Sequence, residues 1–212
     1  MITRRLSGLV LLVLLLLAAG CNSRGGEPLL EDHFSDPRSG WGSDSQPTFD
    51  RGYEEGEYFI EVYDEDWFVW APSGNRFRDV DVTVEARPVG VFSDGHFGLL
   101  CRYRSPDNFY YLGITLDGYY AIIRVKEGRS EFLTGNGFTY SPAILPRGGK
   151  FLLRAVCAGD QLSLYVANTL IATARDDSFD RGDVGLGVGS GAADSIRVHF
   201  DDLVVKPVEA GE

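Results

Sequence analysis

Histidine, cysteine and methionine are scarce in this chain, at three, three and one among 212 residues. His33, His96 and His199 are scattered singly, with no second histidine at a ligand interval, which excludes a zinc site of the usual spacing. No Gly-x-Ser-x-Gly element occurs, and Cys101 and Cys157 lie in apolar segments away from any histidine, so nucleophilic hydrolase chemistry has no candidate. Basic charge is also in deficit, with 20 Lys and Arg against 31 Asp and Glu. An acidic chain is repelled by phosphate backbones and anionic lipid, which argues against nucleic acid and other polyanions as partners. Amphipathic helices are missing as well: from Leu29 onward no apolar period of three helical turns is found.

Long apolar runs are equally rare, and the single one has a distinct meaning. Arg4 and Arg5 precede an apolar stretch over 9–19, and small residues lead to Cys21. This run is shorter than the roughly 18 residues of a spanning helix, and its order describes an export signal over 1–20. The segment Leu17-Ala18-Ala19-Gly20-Cys21 resembles the bacterial lipobox, with Ala18 where leucine is commonest. That resemblance implies a mature N-terminus at Cys21 carrying lipid, palmitate included, and a protein anchored on the extracytoplasmic face of a cell membrane. The alternative is an ordinary signal cleaved near Ala19, with Cys21 left as a thiol. Residues 21–28 then read as lipidated terminus and linker, 29–207 as one domain and 208–212 as a tail. Removing 1–20 with its two arginines leaves 192 residues, 18 basic against 31 acidic, a formal charge of −13.

What the chain has in abundance is short apolar-polar alternation broken by glycine turns. Strands are predicted over 58–62, 67–71, 80–86, 97–103, 109–115, 119–126, 151–157, 161–167, 169–175, 184–188 and 196–206. The period of two is plainest where Val80, Val82 and Val84 alternate with Asp81, Thr83 and Glu85, giving one buried and one wet face. So many half-apolar strands predict an all-β fold of two packed antiparallel sheets. In the last strand Ile196, Val198 and Phe200 point inward before the pattern shifts at Leu203 to Val205. Outside the cytosol thiols oxidise, so Cys101 and Cys157 are expected to form a disulfide stapling two strands; buried free thiols are the alternative.

Several segments, in order, are similar to the concanavalin A-like lectin/glucanase superfamily: Asp32-His-Phe-Ser-Asp-Pro-Arg-Ser-Gly-Trp41, Phe97-Gly-Leu-Leu-Cys-Arg-Tyr103, Asn108-Phe-Tyr-Tyr-Leu112, Asp117-Gly-Tyr-Tyr-Ala-Ile122, Leu162-Ser-Leu-Tyr-Val166, Gly182-Asp-Val-Gly-Leu186 and Val198-His-Phe-Asp-Asp-Leu-Val-Val205. More narrowly they resemble laminin G-like and 3-keto-disaccharide-hydrolase-type domains. The resemblance spans about residues 30–207 and implies a jelly roll, a fold that hosts lectins, glycosidases and adhesion modules alike. It departs at Ala167-Asn168-Thr169, where such domains often turn with Asn-Gly. The alternating acids of the glucanase members are also missing, since Glu61 and Glu65 have one parity and Asp64 and Asp66 the other.

Aromatics are the strongest functional hint. Trp67, Trp70, Tyr110, Tyr111, Tyr119 and Tyr120 fall on central strands, where rings stack on the C–H face of a sugar. Trp70, Tyr111 and Tyr120 are the candidate stacking residues, with Arg102 and Asn108 as hydrogen-bond partners; the alternative for any one ring is the core. Asp32 with Asp201 and Asp202 would meet if the terminal strands pair, forming a candidate structural calcium site; because no contiguous ligand loop is present, solvated carboxylates and a turn are the favoured reading. Gly185, Gly187 and Gly189 alternate on one strand face, which allows close backbone packing or leaves room above it for a bulky ring or a ligand. Arg181-Gly182-Asp183 matches an adhesion tripeptide but consists of common turn residues. These features predict a lipid-anchored, non-catalytic module binding carbohydrate. The alternatives are a protein-interaction or structural envelope domain, and a glycoside hydrolase of the 3-keto-disaccharide type.

Overall fold

The computed structural model describes residues 27–90, 94–144, 146, 148–192 and 195–208. The predicted signal, Cys21 and the tail from 209 lie outside the described residues. Among the described residues sixteen strands run in chain order. The first eight are β1 (Leu30–Asp32), β2 (Asp44–Gln46), β3 (Phe49–Glu54), β4 (Glu57–Val62), β5 (Phe68–Pro72), β6 (Val80–Val89), β7 (His96–Ser105) and β8 (Asn108–Thr115). The others are β9 (Tyr119–Lys126), β10 (Arg129–Phe132), β11 (Thr139–Tyr140), β12 (Phe151–Ala158), β13 (Gln161–Val166), β14 (Thr169–Arg175), β15 (Asp183–Gly189) and β16 (Ile196–Pro207). Every ladder is antiparallel. One sheet has the order β14-β13-β12-β6-β16-β4-β3-β2, with β1 beside the second half of β16. The other runs β10-β9-β8-β7-β15-β5, with β11 continuing the edge on β9.

The sandwich follows from the alternation. On β6, Val80, Val82, Val84 and Ala86 are buried while Asp81, Thr83 and Glu85 face outward. The facing sheet contributes Phe97, Leu99, Leu112, Ile114 and Leu186 to the same core. Phe97 of β7 meets Phe151 of β12 edge-on, with centroids 5.4 Å apart, inside the roughly 4.5–7 Å range of favourable ring pairs. Cys101 on β7 and Cys157 on β12 are disulfide-bonded, both fully buried, so the bond ties one sheet to the other through the core.

Local chain irregularities fall where the sequence pattern shifts. On β16 the register slips between Asp201 and Val204, and Asp202 takes a left-handed φ of 52°, which returns Leu203 and Val205 to the core. The turn between β13 and β14 is a two-residue hairpin with Ala167 and Asn168 both at positive φ, the geometry that suits strand twist. Asn168 adopts it readily, which makes Asn-Gly unnecessary there.

The five strands absent from the sequence prediction are β1, β2, β3, β10 and β11. They are short or polar, so they carry little alternation; Asp44–Gln46 and Arg129–Phe132 are mostly exposed. Tertiary pairing with neighbours that do show the pattern recruits them.

Candidate functional site

The outer faces of the two sheets differ. On β15, Val184, Leu186 and Val188 point into the core, so Gly185, Gly187 and Gly189 point out. Rings occupy the space these glycines leave: a Cβ on Gly187 would meet the Phe68 ring at 2.7 Å, and one on Gly189 would meet the His96 ring at 2.3 Å. Tyr111 likewise lies over Gly113 of its own strand. The result is a second apolar cluster, in which Leu100, Phe109 and Tyr111 are covered by Phe68, Trp70, Tyr103, Ile123 and Val125. Phe68 stacks between Trp70 at 5.9 Å and His96 at 5.8 Å. His96 Nδ1 and the Tyr111 hydroxyl are hydrogen-bonded at 2.9 Å, which gives both buried polar groups a partner. Burial brings the His96 pKa down to about 4, because an imidazolium there has lost its water.

This layer opens along the free edge of β5. A cleft of about 360 Å³ lies there, lined by Phe49, Arg51, Trp67, Phe68, Trp70 and Tyr103, with Pro72 and Pro106 at its ends. Trp67 is 48% exposed, while Trp70 and Tyr103 are half-buried, so each presents part of a ring to solvent. Trp70 Nε1–H donates to the Tyr103 hydroxyl at 3.2 Å, which fixes both rings. Arg51 reaches across from β3 and donates through Nη1 to the Trp70 carbonyl, the group an edge strand leaves unpaired. Its Nε is buried without a partner among the described residues. The lining is therefore aromatic and apolar with one cation, a surface for ring stacking and for donating hydrogen bonds.

Of the five residues that the sequence nominates for ligand contact, Trp70 alone lines this cleft. Tyr111 is 1% exposed beneath Phe68 and His96, so its outward parity leads to a covered layer and not to a groove. Tyr120 has the opposite parity and packs against the inter-sheet core. Arg102 is 2% exposed at a bulge with φ 52°, and its guanidinium donates to the Phe179 carbonyl at 2.7 Å and to Asp79 at 3.2 Å. Asn108 joins two turns, donating to Ser105 Oγ and accepting from the Glu127 N–H. Tyr111, Tyr120 and Asn108 are engaged in packing or turns, and Arg102 is held by its two guanidinium bonds, with its Nε buried and unpartnered among the described residues. Phe68, Tyr103 and Arg51 were missed; the parity of Phe68 with Trp70 on β5 was the one legible signal.

The proposed calcium pair is also corrected. The terminal strands do pair, with Asp32 opposite Leu203, but Asp32 turns inward. Its oxygens accept the Phe34 N–H at 2.7 Å and the Trp41 Nε1–H at 2.8 Å, seating a plug in which Phe34 and Trp41 pack on Tyr58. Asp201 instead neighbours His33 and Asp202, whose donor atoms come within 4.8 Å of one another. His33 and Asp202 form a hydrogen-bonded pair at 2.6 Å, which raises the His33 pKa and accounts for the grouping without an ion. Asp183 of the Arg-Gly-Asp turn is 7% exposed and accepts from Ser73 and the Gly74 N–H, so the tripeptide is not displayed. Glu61 lies on the other sheet's outer face, paired with Arg197 at 2.8 Å.

No family model matches the chain, and no curated protein matches it in sequence. Solved structures share its fold. One is the carbohydrate-binding module CBM66 from Bacillus subtilis, 16% identical, with a TM-score of 0.54 over 79% of this chain and 92% of that one. A protein of unknown function with a galectin-like fold, also from Bacillus subtilis, is 10% identical with a TM-score of 0.63 over 86% and 97%. The catalytic domain of an endo-1,3-β-glucanase (laminarinase) from Thermotoga petrophila is 11% identical with a TM-score of 0.59 over 87% and 98%. At these identities the likeness is one of fold. The chain is a two-sheet antiparallel jelly roll of galectin-like fold, which it shares with a carbohydrate-binding module and a glucanase domain.

Proposed function

We propose that this protein is an exported, lipid-anchored, non-catalytic module that binds carbohydrate in the cleft beside β5. The observation that carries the reading is the cleft itself: Trp67, Trp70 and Tyr103 present partly exposed rings next to the Arg51 cation. A pyranose stacks its C–H face on such rings and offers hydroxyls to a cation's donors. The non-catalytic part rests on the lining, which contains no carboxyl group, whereas glycoside hydrolysis calls for two acids flanking the bond. Export and anchoring rest on the lipobox-like segment ending at Cys21.

Two measurements test this. Binding of the full chain to a broad glycan array is expected to be saturable, weakened at least about tenfold by Trp70→Ala or Trp67→Ala and unchanged by Tyr120→Ala. A blank array from folded, monodisperse protein would defeat it in favour of a protein-binding or structural role. Labelled palmitate is expected to be incorporated and lost in Cys21→Ser, and unchanged labelling of that variant would refute the anchor.

A further inference from the structure

A second hollow continues the aromatic cleft. It measures about 350 Å³ and is lined by Gly74, Asn75, Arg76, Tyr103, Arg104 and Asp183, so Tyr103 forms the wall common to both. Its chemistry is opposite to that of its neighbour. Arg76 is exposed and has no ion-pair or hydrogen-bond partner among the described residues. Arg104 approaches Asp180 at 2.7 Å, and the same carboxylate also takes Arg78 at 3.3 Å and Arg181 at 3.1 Å. Three arginines thus share one aspartate, and Arg76 adds a further cation to the lining with no acid of its own among the described residues. Asp183, on the floor, turns both oxygens to internal donors: Oδ1 accepts from Ser73 Oγ and the Val184 N–H, and Oδ2 from the Gly74 N–H.

An excess of guanidinium beside an aromatic shelf is out of keeping with a chain carrying 31 acids against 20 bases. Such unmatched cations repel one another and gain when an anion joins them. Guanidinium forks match a planar carboxylate, with two parallel donors to two oxygens. We infer that this hollow receives the carboxylate of an acidic saccharide whose adjoining rings lie on the aromatic cleft. The inference rests on the reading of that cleft as a saccharide site and deepens it by naming the ligand class. The overall negative charge disfavours a polyanion, so the ligand is a short saccharide with an isolated uronate or similar sugar acid rather than a densely charged polymer.

The test is an array of neutral, carboxylated and sulfated oligosaccharides probed with the full chain, followed by titration of each bound carboxylated glycan against its carboxyl-reduced counterpart. Carboxylated members are expected to bind about tenfold or more tighter than the reduced forms, with that preference lost in Arg76→Ala and only partly kept in Arg76→Lys, whose ammonium retains the charge without the fork. Because Arg76 is exposed and unpartnered, its removal leaves the fold intact, and Trp70→Ala should weaken neutral and acidic ligands alike. Equal binding of acid and reduced forms, a preference confined to sulfated glycans, or full affinity in Arg76→Ala overturns the inference and leaves the cleft as a saccharide site. Failure to bind any saccharide overturns both.

Discussion

The two outer faces of the sandwich handle exposure in different ways. On the larger sheet, charge sits in matched rows: Arg197 reaches Glu61 and Glu54, Arg154 pairs with Asp81 at 2.7 Å, and Lys150 with Glu85 at 2.6 Å. Arg197 and Arg154 also lie over Phe59 and Tyr165, at 4.2 and 4.7 Å from the ring centroids. On that face these charges are matched within the sheet itself. On the smaller sheet, rings lie flat on glycines and leave a cleft only at the edge, where Trp67, Trp70 and Tyr103 lack full cover. The proposed ligand site therefore lies where the covering layer ends, and not at its centre.

If the two faces depend on a common core, the bond between them should matter most. Replacing Cys101 and Cys157 by serine is expected to cost about 4 kcal/mol on the loop-entropy account for a 56-residue separation, read as the drop in unfolding free energy by denaturant titration. A loss below 1 kcal/mol would mean that each sheet's packing suffices without the bond.

Acid should distinguish the faces next. The folded His96 pKa of about 4 lies below the unfolded value near 6.5, so the unfolded chain takes up a proton that the folded one refuses between those limits. Stability on this account is complete above pH 6.5 and declines by up to about 3 kcal/mol as pH falls to 4. The comparison is with His96→Gln, whose urea midpoint should fall less over the same range; parallel curves would remove His96 as the cause.

Steric filling of the glycine floor comes third. Gly187→Val puts a side chain into Phe68 and Leu100 and is expected to destabilise by about 1–3 kcal/mol and to weaken glycan binding, as the shelf tilts. Thr83→Val, on the outward row of the larger sheet, should change neither by much; equal losses from both would break the contrast between the faces. The smallest effect is expected from Arg197→Met, about 1 kcal/mol or less by thermal melting, because its partners are partly solvated. A larger loss would make the charged face a stabilising network.

Much of the frame was legible because it rests on local period. Val80, Val82 and Val84 announced their face, Ile196 to Phe200 announced the shift that the bulge at Asp202 accomplishes, and the alternating glycines of β15 announced room for rings. The ligand candidates read poorly for one reason. Parity assigns Tyr111 to the outer face of its sheet, but it is silent on whether residues distant in sequence, here Phe68 and His96, lie on top. Arg102 was misread because a positive-φ residue inside a strand breaks parity, and nothing in its own side chain signals that.

The existence of most strands, their inward and outward faces and the availability of the cysteine pair thus follow from the order of residues alone, since alternation and turn chemistry act over two to four positions. The cleft follows from assembly. Arg51 reaches Trp70 from the other sheet, Tyr103 comes to face Trp70 across intervening β15, and Arg78, Arg104 and Arg181 meet at Asp180 from the β5–β6 connection, β7 and the β14–β15 connection. These meetings depend on which strands become neighbours, a choice made by the burial of the whole core and visible in no single segment.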